Sequence, residues 1–268
     1  MTDFYKNCIL LISLIILNSC HNNGRNPVET SVGKIDSLKS VISSLEDEIK
    51  SLKEDNPFVQ VQHAEASTCM IIHYKTFGLK IQLNNIRPVF DKNTFLCVPA
   101  AFTSRQQTVD GYFMKEGILI NKTINNEING FIMFNEQEII IDSIKYLTAN
   151  HLKIEKDKSY NIFQQFLLVK KSKLIKCEKF GEKINTRRAI VKYPDGDIFI
   201  VESHRQMTIL EFQKALVEIG VEDALYLDMG TFSEGWYKSS DCEKIKIGEL
   251  FSNTNMQTNW LTYEKKEQ

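Results

Sequence analysis

The chain has 268 residues, a hydrophobic fraction of 43%, and 33 lysine and arginine residues against 34 aspartate and glutamate residues. This composition excludes collagen-like, low-complexity and wholly disordered chains. The net charge of -1 gives no overall attraction to polyanions, so the sequence predicts no nucleic-acid partner.

Residues 1–19 predict an export signal. Lys6 precedes an apolar run over residues 9–17, which is shorter than the ~20 residues that cross a bilayer as a helix. The run ends in Leu-Asn-Ser before Cys20, which resembles the lipobox of bacterial lipoproteins. This resemblance implies cleavage before Cys20, lipidation of its sulfur and a chain anchored to a bacterial membrane, facing periplasm or cell surface. The alternative is an ordinary secreted protein in which Cys20 is incidental.

Residues 20–33 predict a flexible linker, because they are rich in Asn and Gly and have no apolar period. Residues 34–55 predict a short coiled-coil helix with isoleucine at each a position and leucine at each d position. The a and d residues are Ile35, Leu38, Ile42, Leu45, Ile49 and Leu52. This pattern favours a parallel homodimer, and the alternative is one amphipathic helix that lies on the globular domain.

Residues 58–268 predict one folded domain that consists mostly of strands. Short apolar runs, rich in β-branched residues and separated by turn residues, are typical of strands and not of helices. These runs are residues 70–74, 79–83, 95–98, 118–120, 131–134, 139–141, 163–169 and 189–193.

The C-terminal third predicts a hairpin followed by a crossover. Residues 194–197 read Pro-Asp-Gly-Asp, a turn that leads into a strand over 198–201. Thr208 and Glu211 form a capping box, so a helix is expected over about 209–219, with a buried strand over 221–227 after it. Strand, helix and strand in this order predict two parallel strands. The fold class is therefore α+β: a strand-dominated mixed-sheet domain with a βαβ crossover, preceded by the coiled-coil helix.

Two strand ends carry polar side chains that suit a binding site. One end reads Glu202-Ser203-His204-Arg205, and the other runs from Asp228 to Trp236. Ligands often bind beyond the carboxyl ends of strands, and the planar fork of an arginine suits phosphate. Structural roles are the alternative: Asp228 as a turn cap, Arg205 paired with a glutamate, and Trp236 in the core.

These segments resemble the phosphodiester glycosidase family over residues 187–233. Arg-Arg-Ala-Ile at 187–190 corresponds to the family's Arg-Thr-Ala-Ile, and Ala-Leu-Tyr-Leu-Asp-Met-Gly at 224–230 to its Ala-Leu-Asn-Leu-Asp-Gly-Gly. Weaker counterparts are Pro-Ala-Ala-Phe at 99–102 and Asn-Trp-Leu at 259–261. The resemblance thus implies that most of 69–264 adopts the family fold.

The resemblance also implies site residues. Asp228 falls on the family aspartate and becomes the catalytic candidate, while Arg187, Arg205 and Gly230 become substrate-binding candidates. Glu202, His204 and Glu234 are reserve acid or base candidates. The chain departs from the family pattern at Pro99, Ser203, His204, Tyr226, Met229 and Thr231.

The resemblance implies a hydrolase of the bacterial envelope. Its implied substrate is a glycosyl 1-phosphodiester, for example an N-acetylglucosamine 1-phosphodiester, or a related glycan. Two alternatives remain on the same fold: a catalytically inactive glycan-binding lipoprotein, and a coiled-coil scaffold. No cofactor and no zinc site are predicted, because no closely spaced Cys or His set occurs, but a divalent cation stays open. Four cysteines remain in the exported domain, and they allow three disulfide pairings or buried thiols: Cys69, Cys97, Cys177 and Cys242.

Overall fold

The computed structural model describes residues 35–45, 56–147, 160–177, 182–229, 233–248 and 256–266. The chain divides into two compact units, Met1–Leu52 and Lys53–Gln268. The predictions for the signal peptide, for lipidation of Cys20, for the linker and for residues 46–55 lie outside the described residues. No helix in the described ranges is both long enough and apolar enough to cross a membrane.

In the first unit, residues 35–45 form helix α1. The apolar a and d side chains of this helix lie on one face, since they are three and four residues apart. Ile35, Leu38, Ile42 and Leu45 are each about half exposed. The pairing of this face with a second copy stays a prediction.

In the second unit, the described residues form seventeen strands. They are β1 (Phe58–Glu65), β2 (Met70–Phe77), β3 (Leu79–Asn84), β4 (Thr94–Pro99), β5 (Phe113–Lys115), β6 (Ile118–Asn121), β7 (Gly130–Phe134), β8 (Ile139–Ser143), β9 (Asn161–Gln165), β10 (Leu167–Lys170), β11 (Lys173–Leu174), β12 (Arg188–Lys192), β13 (Ile198–Ser203), β14 (Asp223–Tyr226), β15 (Gly235–Lys238), β16 (Lys244–Ile247) and β17 (Trp260–Lys265). Residues 144–147 are helical and belong to helix α2, and helix α3 is Ile209–Glu218. The prediction of a strand-dominated domain is therefore confirmed.

The strands form three sheets. The seven-stranded sheet has the order β1-β2-β13-β12-β14-β10-β11, and the two five-stranded sheets have the orders β16-β15-β4-β17-β3 and β6-β5-β9-β7-β8. Neighbouring strands in the described residues pair antiparallel throughout, so the prediction of a mixed sheet is wrong; for example, β12 pairs antiparallel with both β13 and β14. Strands β13 and β14 therefore run in the same direction, on either side of β12.

One core lies between the three sheets, and a second lies under helix α3. The first core takes inward-facing residues from every sheet, including Leu96, Phe163 and Ile190. Helix α3 begins at the predicted capping box, in which Glu211 N–H donates to the Thr208 hydroxyl. Its buried face covers the other side of the seven-stranded sheet, so only one face of that sheet meets the shared core.

One strand prediction is wrong in its extent. The apolar run over 163–169 is split between β9 and β10, which belong to different sheets. The break falls at Phe166, whose N–H donates to its neighbour's side chain, Gln165 Oε1, at 2.9 Å. The four cysteines Cys69, Cys97, Cys177 and Cys242 are not joined in disulfides.

Candidate active site

Asp228 follows β14 and links the two segments that resemble the family, residues 187–233 and 99–102, by a hydrogen bond. Its backbone N–H donates to the carbonyl of Ala100 at 3.0 Å, and Ala100 directly follows β4. The side chain of Asp228 is buried, with a relative exposure of 4%. The catalytic candidate thus lies where the ends of β14 and β4 meet.

Arg187 lies inside the domain and is held by oxygen atoms of the chain itself. Its Nε donates to the Met207 carbonyl at 3.0 Å, Nη1 donates to the Tyr226 hydroxyl at 3.3 Å, and Nη2 donates to the Lys183 carbonyl. Burial raises the pKa of Tyr226, although the nearby Arg187 guanidinium acts in the opposite direction. The structure therefore places Arg187 beside Tyr226, in a buried setting.

Glu202 forms a buried ion pair with Arg188, a residue that was not among the predicted site residues. Nε and Nη2 of Arg188 both donate to Glu202 Oε2, at 2.8 and 2.5 Å. The third contact of this guanidinium is from Nη1 to the Ser233 carbonyl at 2.9 Å. The Glu202 carboxylate, a reserve acid or base candidate, therefore has a structural role as the partner of the buried Arg188 guanidinium.

Arg205 and His204 lie at the surface beyond β13. Arg205 donates from Nε and Nη2 to the Thr68 carbonyl, at 3.3 and 3.0 Å. Its guanidinium is also 3.9 Å from the carboxylate of Glu211 on helix α3. These contacts direct Arg205 to the turn between β1 and β2, so Arg205 is exposed, whereas Arg187 is buried.

Glu234 faces a narrow cleft that Arg87 closes from the other side. Arg87 Nη2 lies 3.4 Å from Glu234 Oε2, and the Glu234 side chain is only 12% exposed. We call this site the Arg87–Glu234 cleft; its lining residues are Arg87, Pro88, Cys97, Pro99, Glu234, Trp236, Gln257 and Trp260. Its cavity volume is ≈ 10 Å³, about the space that one water molecule needs.

Strand alternation builds the floor of this cleft. Cys97 lies opposite Trp236 of β15, and Pro99 lies opposite Trp260 of β17. Because successive side chains point to opposite faces of a sheet, these four share one face while Leu96 and Val98 face the shared core. Phe90 covers this floor, and its ring meets Trp236 edge to face with centroids 5.1 Å apart. Burial raises the pKa of the Cys97 thiol, so the thiol stays protonated and is no nucleophile here.

A fully buried asparagine fixes the chain beside the cleft. Asn259 Oδ1 accepts from the Ala101 N–H at 2.6 Å, and its Nδ2 donates to the Ala101 carbonyl at 3.1 Å. Gln257, which lines the cleft, donates to the Asn259 carbonyl at 2.9 Å. In the sequence, Asn259 is marked only as the start of a segment that resembles a family strand. An asparagine before an apolar strand is a weak signal, and its partner is 158 residues away.

The other residues of the family-like motif that ends β14 lie outside the cleft or outside the described residues. Met229 is buried and packs in the core under helix α3, at a position where the family has glycine. Gly230 and Thr231 lie outside the described residues. Within the described ranges, no three His, Cys, Asp or Glu side chains lie close enough together to hold a metal ion. The geometry therefore brings Pro99 and Glu234 to one cleft, and the backbone of Asp228 lies beside it through its hydrogen bond to Ala100.

A model of the family described as phosphodiester glycosidase matches residues 93–260. No curated protein matches the chain. Among solved structures, the chain is similar to the catalytic domain of zebrafish N-acetylglucosamine-1-phosphodiester alpha-N-acetylglucosaminidase, auto-inhibited by its pro-peptide. The TM-score is 0.57 at 10% identity, and the match covers 79% of this chain and 83% of that chain. A hypothetical protein from Synechocystis gives a TM-score of 0.49 at 11% identity, over 78% of this chain and 62% of that chain.

Proposed function

Because this chain belongs to the phosphodiester glycosidase family, we propose that it hydrolyses a glycosyl 1-phosphodiester on an envelope or polysaccharide glycan. The observation that carries this proposal is the Arg87–Glu234 cleft. A guanidinium, a carboxylate and two indole rings line it together, and the Ala100 carbonyl that holds Asp228 follows Pro99 directly. A cation for the phosphate, a carboxylate for acid or base catalysis and an aromatic surface for the sugar ring are the groups that bind and cleave a sugar phosphate.

Each group has a role in such a reaction. The fork of Arg87 suits the phosphoryl oxygens, and the rings of Trp236 and Trp260 suit the apolar face of a sugar. The bond between sugar C1 and the phosphate oxygen breaks, and the phosphate monoester leaves with the bonding electrons. Water then adds to C1 while a carboxylate takes its proton. We propose Glu234 as this base and Asp228 as the carboxylate that stabilises the positive charge on the sugar.

The cleft must widen before a sugar enters. Its present volume of ≈ 10 Å³ is far below that of a ligand pocket, which is about 300 Å³ or more. Arg87 and Phe90 lie on one side of it, on the segment that connects β3 and β4. We propose that this segment moves outward and uncovers the tryptophans on which Phe90 now packs.

The test is sugar release by the detergent-solubilised full chain from N-acetylglucosamine 1-phosphodiesters and other glycosyl 1-phosphodiesters, with and without divalent cations. We expect Glu234→Gln and Asp228→Asn each to lower kcat at least 100-fold, within the range for loss of one acid or base. Glu243→Gln, an exposed glutamate beside β16, is the matched control and should retain full activity. Full activity of both site variants, with unchanged circular dichroism, contradicts the proposal.

A glycan-binding protein without catalysis is the second candidate. It is favoured by the buried Arg187, whose three nitrogens all donate to protein oxygens, and by Met229 in the core. This candidate predicts saturable binding of a glycosyl phosphodiester by calorimetry, with no sugar released after prolonged incubation. Arg87→Met should then weaken binding, while Glu234→Gln should not.

We also propose that the chain is a lipoprotein, lipidated at Cys20 and exported to the envelope, and that residues 34–55 pair two copies in parallel. The exposed apolar face of helix α1 supports the pairing. Cys20→Ser should abolish acyl modification in mass spectra of the purified chain. Leu38→Lys with Ile42→Lys should shift sedimentation from dimer to monomer, whereas Ser40→Lys, off the apolar face, should not.

A further inference from the structure

The segment between β3 and β4 presents two aliphatic side chains to solvent beside the cleft. Ile86 is 78% exposed and Val89 is 76% exposed, the highest values for large apolar side chains in the described ranges. They flank Arg87 and Pro88, which line the Arg87–Glu234 cleft. With the aromatic and basic groups around them, these two side chains form a candidate membrane-contact surface at the entrance of the cleft.

Basic side chains surround the same segment. Lys244 Nζ lies 5.9 Å from the Phe90 ring centroid and 5.3 Å from that of Trp236. Lys246, which is also exposed, lies opposite Trp236 in the neighbouring strand β16. The acidic groups nearby are Asp91, which caps the following turn, and Glu234, which pairs with Arg87. Aliphatic, aromatic and basic groups thus meet on one surface.

We infer that residues 86–89 dock on an anionic lipid bilayer, and that the aglycone of the substrate is a membrane lipid. This inference rests on the proposed function. Exposed aliphatic side chains insert at the boundary between headgroups and acyl chains, and neighbouring cations attract anionic headgroups. A protein partner is less favoured, because Ile86 and Val89 project singly and form no contiguous apolar core of an interface.

Docking would also control access to the site. The segment that contacts the bilayer is the one that covers the tryptophans, since Phe90 packs edge to face on Trp236. A shift of residues 86–90 toward the lipid therefore widens a cleft that now has room for about one water molecule. A sugar phosphate whose lipid stays in the membrane would enter at this point.

The intrinsic fluorescence of the protein provides the test, because the chain has 2 tryptophans and both line the cleft. The full chain is reconstituted into vesicles of phosphatidylcholine and phosphatidylglycerol, with and without bromine on the acyl chains. We expect bromine to quench the wild-type fluorescence at least twofold, and the Ile86→Asp, Val89→Asp double variant to lose most of this quenching. Ile118→Asp with Ile120→Asp, two exposed residues of β6, is the matched control and should keep it. Equal quenching of the wild type and the 86/89 variant overturns the inference, as does absence of quenching in the wild type.

Hydrolysis separates this inference from the proposed function. The same proteins are given a water-soluble glycosyl phosphodiester and a lipid-linked one embedded in the vesicles. We expect the Ile86→Asp, Val89→Asp variant to hydrolyse the soluble substrate at the wild-type rate and the embedded one at least tenfold more slowly. Equal rates of wild type and variant on the embedded substrate overturn the lipid aglycone. Hydrolysis of neither substrate by the wild type, with quenching intact, contradicts the proposed function and supports the docking.

Discussion

The guanidinium of Arg188 lies 2.5 Å from the carboxylate of Glu202, and their side chains are 0% and 9% exposed. Arg188 also donates to the Ser233 carbonyl, one residue before Glu234. The ion pair therefore fixes the start of β15, which carries Glu234 to the cleft. A charge so deeply buried has a large desolvation cost that only its partner offsets.

Removal of one member of this pair should destabilise the domain strongly. We expect Arg188→Met or Glu202→Gln to lower the free energy of unfolding by about 3 to 5 kcal/mol, because each leaves a buried group without its partner. The double variant Arg188→Met, Glu202→Leu should lose much less than the sum of the two. Denaturant titration followed by tryptophan fluorescence measures all three. Arg205→Met, which removes an exposed ion pair, should cost at most about 1 kcal/mol; a similar loss in all variants would contradict the argument.

Local sequence signals predicted the elements of this fold better than its site. The strands at 70–74 and 95–98 and the capped helix after Thr208 follow from residue type and spacing alone. The turn at residues 194–197 also sets the register of β12 and β13, which places Arg188 opposite Glu202. That pairing was therefore readable from the sequence, although it was not singled out.

The contacts between residues far apart in the chain could not be predicted from the sequence. Arg87 and Glu234 are 147 residues apart, and no local pattern shows that the segment after β3 covers the strand after β14. The sheet order that joins them depends on the packing of all three sheets around one core. The roles of Arg187, Arg205 and Asp228 stay predictions, because the family resemblance names positions and not contacts.

Asn259 should be essential to the position of the chain beside the cleft. It satisfies both backbone groups of Ala101, which are buried. We expect Asn259→Ala to lower the free energy of unfolding by about 2 to 3 kcal/mol, since two buried polar groups lose their partners. Asn259→Asp, which keeps the acceptor and loses the donor, should be destabilised as well. Asn93→Ala, at an exposed asparagine, should change stability by at most about 0.5 kcal/mol. If Asn259→Ala and Asn93→Ala have comparable stability, the two hydrogen bonds between Asn259 and Ala101 are not needed to hold this segment.

Arg87 and Arg205 give opposite predictions for substrate binding. Arg87 lines the cleft, so Arg87→Met should raise KM for a glycosyl phosphodiester by about tenfold to 100-fold, the worth of a charge-assisted hydrogen bond. Arg205 donates to the Thr68 and Gln206 carbonyls, so the geometry predicts an unchanged KM for Arg205→Met. The family resemblance predicts a loss at Arg205 instead. Steady-state kinetics of the two variants decides between them, and a loss confined to Arg205 would remove the cleft from the proposed site.

His73 should make the domain sensitive to mild acid. Its Nε2 lies 2.7 Å from the Tyr193 hydroxyl, and burial, with smaller effects of Lys75 and His63, lowers its pKa from 6.5 to about 4. The unfolded chain binds a proton at this residue below pH 6.5 and the folded chain does not until about pH 4. The stability from neutral His73 is therefore complete above pH 6.5 and is lost as the pH falls toward 4, by up to about 3 kcal/mol.

We expect His73→Phe to be less stable than the wild type at pH 7.5, because Tyr193 loses a partner. Between pH 7.5 and 4.5, the variant should lose less stability than the wild type in denaturant titrations. His204→Gln, at an exposed histidine, should keep the wild-type pH dependence. If the loss on acidification is the same in His73→Phe as in the wild type, other groups and not His73 cause the acid sensitivity.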